Sequence, residues 1–126
     1  MFRFAFLLAA GLAASAAAHA DANVDAGMWV FVKDCSACHS LQPDENRLGP
    51  TLAGINGREA GSLDGFNYSD GLAAESFTWT DALLAEYLTT PTKSGGGDQL
   101  LHSVHMNFDG LTPDQASDLI AFLSMF

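Results

Sequence analysis

The sequence predicts an all-α fold of about three main helices joined by long loops. Three observations carry that reading. Three segments space their apolar residues at helical intervals, two of them open on capping residues, and the long glycine-punctuated run between the first two holds few alternating strand patterns.

In chain order, the first twenty residues stand apart. Arg3 supplies a positive start, Phe4 to Ala18 form an apolar run broken by Gly11 and Ser15, and Ala18-His19-Ala20 is a small-x-small cleavage pattern. That is the layout of a secretory signal peptide cleaved after Ala20. As a retained anchor it is short, fifteen residues against the ~20 that a helix needs to cross a bilayer. Residues 21–126 then make one domain of 106 residues.

Within that domain, Val24 to Lys33 places Val24, Met28, Phe31 and Val32 near one helical face. Thr78 to Thr89 opens on Thr78-x-x-Asp81, a capping-box pattern, and sets Leu83, Leu84, Tyr87 and Leu88 on one side before Pro91 stops it. The last helix is capped by Thr112, with Pro113 in its first position and Gln115 closing the box. Ala116, Leu119, Ile120 and Leu123 follow at i, i+3, i+4 and i+7. Between the first two helices the chain carries Gly49, Gly54, Gly57, Gly61, Gly65 and Gly71. A loop this long in so small a domain makes sense if something other than protein fills the middle. Three short helices also bury too little core by themselves, and small domains lean on a metal or a covalent staple.

The charge narrows the partners. The chain has a net charge of −10, and without Arg3 four basic residues face 15 acidic ones, about −11. Phosphate binding needs clustered Lys and Arg, so nucleic acid is excluded. A basic docking face on a protein partner suits this surface, and so does the plain role of keeping a soluble monomer apart from its copies.

Cys35-Ser36-Ala37-Cys38-His39 is the haem-attachment pattern. Two thiols separated by two residues can each add to one vinyl group of a porphyrin, forming thioethers, and the histidine next in line becomes the proximal iron ligand. These are the only two cysteines in the chain. Three other readings compete: a disulfide, strained at this spacing; a thioredoxin-like redox pair, which expects a preceding strand; and zinc held by both cysteines with His102 and His105. For the sixth iron position the mature chain offers Met28, Met106, Met125, His102 and His105. Met106, in a loop ahead of the final helix, is the preferred ligand, and a thioether there would raise the potential; histidine ligation stays open.

With these motifs the chain resembles a class I cytochrome c, of the mitochondrial type and its bacterial periplasmic relatives. The resemblance runs through Gly27-x-x-x-Phe31, Leu48-Gly49-Pro50-x-Leu52, Gly57-Arg58, Gly65 to Asp70, Glu86-Tyr87-Leu88 with Pro91, Met106-x-Phe108-x-Gly110, and Asp118 to Leu123 with its aromatic Phe122. It implies a cytochrome c fold wrapped round one haem c, covalently held through Cys35 and Cys38, with iron ligands His39 and Met106. It further implies that the first and last helices cross closely at Gly27 and that the Pro50 carbonyl holds the proximal imidazole. Arg58, Tyr68 and Trp79 match positions contacting the haem propionates, and Tyr87 a position near the methionine sulfur. The chain departs from the mitochondrial pattern in a longer, Gly-rich segment from Pro91 to Met106, in His105 and Leu72, and in lacking the docking lysines.

The function so implied is single-electron transport in the periplasm by a soluble, monomeric, non-enzymatic haem protein of a respiratory or photosynthetic chain. Its donor and acceptor would be redox proteins, among them a bc-type complex, an oxidase or a reductase, and it would meet a membrane only through them. The alternative is a haem protein with a labile sixth ligand, a peroxidase or gas sensor, in which His102 or His105 moves protons.

Overall fold

The first and last helices cross at a glycine. The computed structural model describes residues 21–91, 106 and 108–126, so the expected signal peptide, His102 and His105 lie outside the described residues. Four helices occur among the described residues: α1 Val24–Asp34, α2 Asp70–Ala73, α3 Asp81–Thr89 and α4 Pro113–Leu123. α4 packs across α1 and against α3. A Cβ on Gly27 would run into the Asp118 carbonyl and approach Phe122 Cβ to 2.8 Å. Only glycine lets the two backbones come this close. Beside the crossing, Phe31 and Phe122 meet at 5.9 Å between ring centroids, and Ala116, Leu119, Ile120 and Leu123 form the buried side of α4.

The crossing also sets the rotation of α1, and here the structure corrects the sequence reading. Gly27, Val30 and Phe31 are the buried residues of this helix, whereas Val24, Met28 and Val32 are exposed. Because Gly27 must face α4, the residues beside it at three- and four-residue spacing turn inward with it, and Met28 and Val32 turn away.

A second correction concerns the start of α3. The cap is Thr80, whose hydroxyl accepts from the Leu83 N–H at 3.2 Å. Thr78 instead forms an isolated antiparallel bridge with Glu59. The flanking backbone is committed to the same pairing: the Trp79 N–H donates to the Arg58 carbonyl at 2.8 Å, and the Gly57 N–H to the Trp79 carbonyl at 2.7 Å. Residues held in extended pairing cannot open a helix, so the helix begins two residues later. The capping box of α4 forms in full, with Thr112 and Gln115 each donating a backbone N–H to the other's side chain at 3.0 and 3.2 Å.

The long glycine-rich run folds as loop, apart from that bridge and the single turn α2, capped by Ser69. Four residues are too few to show a helical period. Ile55, Ala60 and Trp79 bring the loop's apolar side chains into the core formed by the helices.

Candidate functional site

α1 ends in the motif. The Cys35 and Ser36 N–H groups both donate to the Phe31 carbonyl at 2.9 Å, and the His39 N–H to the Cys35 carbonyl at 3.0 Å, so the five residues continue from α1 as tight turns. Both thiols are free and half-buried. Burial, with Asp34 and Cys38 nearby, pushes the Cys35 thiol up to about 12. Such a thiol stays protonated and makes a poor metal ligand or exchange nucleophile. No group of three or more metal-binding side chains occurs among the described residues.

His39 is held from both sides. Its Nδ1–H donates to the Pro50 carbonyl at 2.7 Å, the contact that the resemblance implied, which leaves Nε2 with its lone pair available to a ligand. Gly49 lies against the ring: a Cβ there would sit 2.7 Å from Nε2 and 2.6 Å from Nδ1. The Gly49 N–H in turn donates to the Cys38 carbonyl at 2.8 Å, tying this loop to the motif. Burial lowers the proton affinity of His39, the Pro50 bond opposes that, and Arg58 lowers it further. A neutral imidazole is the form that binds a metal.

Arg58, half-buried, donates through its guanidinium to the carbonyls of Thr51 at 2.9 Å and Ala53 at 3.3 Å. Burial lowers its pKa and the neighbouring Tyr68 raises it. The ion pair found among the described residues joins Arg47 to Glu45, and no carboxylate there pairs with Arg58. Tyr68 packs edge-on to Phe66 at 4.8 Å, and its hydroxyl accepts from the Leu63 N–H at 3.3 Å. Trp79 is buried between Phe77 and Tyr87, with centroids at 4.9 and 5.4 Å. The Tyr87 hydroxyl, pushed up to about 12 by burial, donates to the Met106 sulfur at 3.9 Å.

The structure thus gathers two groups of the predicted residues. Cys35, Cys38, His39 and Pro50 form one, with Arg58 and Tyr68 at its edge; Trp79, Tyr87 and Met106 form the other. Two contributors carry no chemical signal of their own in the sequence: the flat cradle of Gly49 and the carbonyls of Thr51 and Ala53. This donor set fits a haem. It offers two free thiols for thioethers, a neutral and oriented imidazole, a thioether sulfur, and a half-buried cation that carboxylates could balance.

The family model described as Cytochrome c matches residues 24–125. Cytochrome c2 of Rhodoblastus acidophilus is 41% identical over 103 residues, covering 80% of this chain and 90% of its own length. Cytochrome c2 of Blastochloris viridis is 37% identical over 103 residues, covering 80% and 76%. Among solved structures, cytochrome cH from Methylobacterium extorquens superposes with a TM-score of 0.71 at 32% identity, over 82% of this chain and 99% of that one.

Proposed function

The chain belongs to the cytochrome c family, and from that premise we propose that it carries single electrons between redox proteins of a periplasmic respiratory or photosynthetic chain. It is a monohaem electron carrier with one covalent haem c. The haem supplies the one-electron redox chemistry; the polypeptide's work is to hold, orient and tune. The observation that carries the reading is the His39 imidazole, fixed by Pro50 at 2.7 Å immediately after two free thiols.

Cys35 and Cys38 would hold the haem covalently, and His39 would bind its iron through Nε2. The Pro50 carbonyl holds the ring's proton at Nδ1, which fixes the tautomer and makes the imidazole a stronger donor. Met106 would supply the sixth iron ligand. The Tyr87 hydroxyl draws on its sulfur's lone pair, and a sulfur ligand favours the reduced state. Arg58, Tyr68 and Trp79 would contact the propionates, and Arg58 would supply the balancing positive charge. None of these roles moves a proton to or from a substrate, in keeping with transport rather than catalysis. Residues 1–20 are the export leader, cleaved after Ala20, and the mature protein works as a monomer. Mass analysis of the exported protein should find Asp21 at its N-terminus.

The test is an absorption spectrum of the protein matured with the haem-attachment machinery, oxidised and reduced, extending into the far red. A low-spin spectrum with the sulfur-to-ferric-iron band supports the assignment. A haem spectrum lacking that band overturns Met106 as ligand, and high-spin features favour the peroxidase or sensor alternative. A colourless product sinks the reading altogether.

A further inference from the structure

The outer face of α1 is left unexplained by haem attachment. Val32 is 51% exposed and Trp29 66%, with Val24 and Met28 also open to solvent. Single exposed apolar residues are ordinary; a contiguous set is not. Val24, Met28 and Val32 recur at four-residue spacing, which makes one stripe along the helix, and Trp29 widens it. Past the helix end, hydrogen bonds link α1 to a further exposed apolar residue. The Ser36 hydroxyl donates to the Val32 carbonyl at 2.7 Å, and the Arg47 guanidinium donates to the Ser36 carbonyl at 3.4 Å. Next to Arg47 comes Leu48, 83% exposed, and then Gly49, bonded to the Cys38 carbonyl. These bonds tie the end of α1 to the loop that carries exposed Leu48, beside the haem-attachment motif.

The charges around it select the occupant. Exposed Asp25 lies on the same side of α1, and Asp21 precedes the helix. Lys33 adjoins the stripe, and Arg47 is partly offset by Glu45 at 3.5 Å. Over longer range the chain's net charge of −10 dominates. A second copy would bring the same negative field and be repelled, whereas a basic face would be drawn in.

We propose that the α1 stripe, from Met28, Trp29 and Val32 to Leu48, is the docking surface for a redox protein whose own face has an apolar centre ringed by Lys and Arg. The proposal rests on the electron-carrier reading and adds to it the surface and the partner's chemistry. Trp29 is the anchor, a large amphipathic side chain of the kind that dominates interface energetics, and the acidic field steers the approach.

The test uses the reduced holoprotein and a defined probe, tris(phenanthroline)chromium(III), a substitution-inert paramagnetic cation with an apolar surface. Its anionic counterpart is hexacyanochromate(III). At low ionic strength the cationic complex should selectively broaden the NMR signals of Met28, Trp29, Val32 and Leu48. The paired exposed substitutions Trp29→Ser and Val32→Ser should weaken that binding about tenfold while leaving the haem spectrum unchanged. Broadening spread evenly over the acidic surface, stronger broadening of these residues by the anion, or an unchanged affinity in the paired variant overturns the proposal. So does concentration-dependent dimerisation that Trp29→Ser abolishes, which would make the occupant a second copy. The absorption spectrum of the same sample separates the two failures: a sample without haem defeats the carrier reading, and a haem-loaded sample without focused broadening defeats this proposal alone.

Discussion

A single missing side chain governs how the His39 ring is held. Gly49 leaves room for the His39 ring, and a methyl group there would lie 2.6 Å from Nδ1. Gly49→Ala should therefore tilt the imidazole or break its bond to Pro50. The expected outcome is a lower yield of low-spin haem, read from the ferric absorption spectrum. Tyr87 acts through its hydroxyl. Its pKa rises to about 12 because burial disfavours the phenolate, so the folded state holds this proton more tightly than the unfolded chain does. The sign follows: its contribution is complete below the ordinary tyrosine value of about 10 and is lost as pH rises through about 12. Tyr87→Phe should remove that part of the alkaline unfolding curve, followed by tyrosinate absorption. Because the hydroxyl donates to the Met106 sulfur, the same variant should also shift the reduction potential.

Where helices meet, backbone geometry outweighs propensity. Alanine is better than glycine inside a helix by about 1 kcal/mol, yet a Cβ at Gly27 would strike the Asp118 carbonyl, a main-chain atom that cannot rotate away. Overpacking of this kind costs about 1–3 kcal/mol. Net of the propensity gain, Gly27→Ala should thus lose up to about 2 kcal/mol in denaturant unfolding of the holoprotein, against the direction propensity alone would give. The caps offer a paired comparison. Thr80→Ala removes the hydroxyl bonded to Leu83 and should cost about 1 kcal/mol. Thr78→Ala alters an exposed side chain whose structural role lies in its backbone, and should stay within about 0.5 kcal/mol. Equal losses at the two positions would contradict the observed start of α3.

At the scale of the whole molecule, the described core comes from one side of α1, one residue of α3, five residues of α4 and a few loop residues. So little protein surface around a long loop implies that the haem completes the hydrophobic interior. Chain produced without the attachment machinery should therefore lose most of its helical circular dichroism and its cooperative unfolding. The charge has its own signature. With a net charge of −10, association with a basic partner should slow steeply as salt rises from low ionic strength, because screening shortens the reach of the field.

Several features were legible in the chain alone. Local chemistry is encoded by neighbours in sequence, so the five-residue motif, the Thr112 to Gln115 capping box and the apolar period of α4 could be read directly. The family's pattern added the pairing of Pro50 with His39, eleven residues away. Other features depend on contacts between distant segments, which no local pattern records. The rotation of α1 was decided by where the α4 backbone lies against Gly27, and the start of α3 by the pairing of Thr78 with Glu59. The exposure of Trp29 and Val32 followed from that same rotation: a helix whose apolar residues run more than halfway round it does not declare which of them will face water. Sequence by itself determined the fold class, the cofactor and the attachment residues, because these rest on covalent spacing and capping. Tertiary structure alone decided which apolar side chains became core and which became surface, because that depends on how closely two backbones can approach.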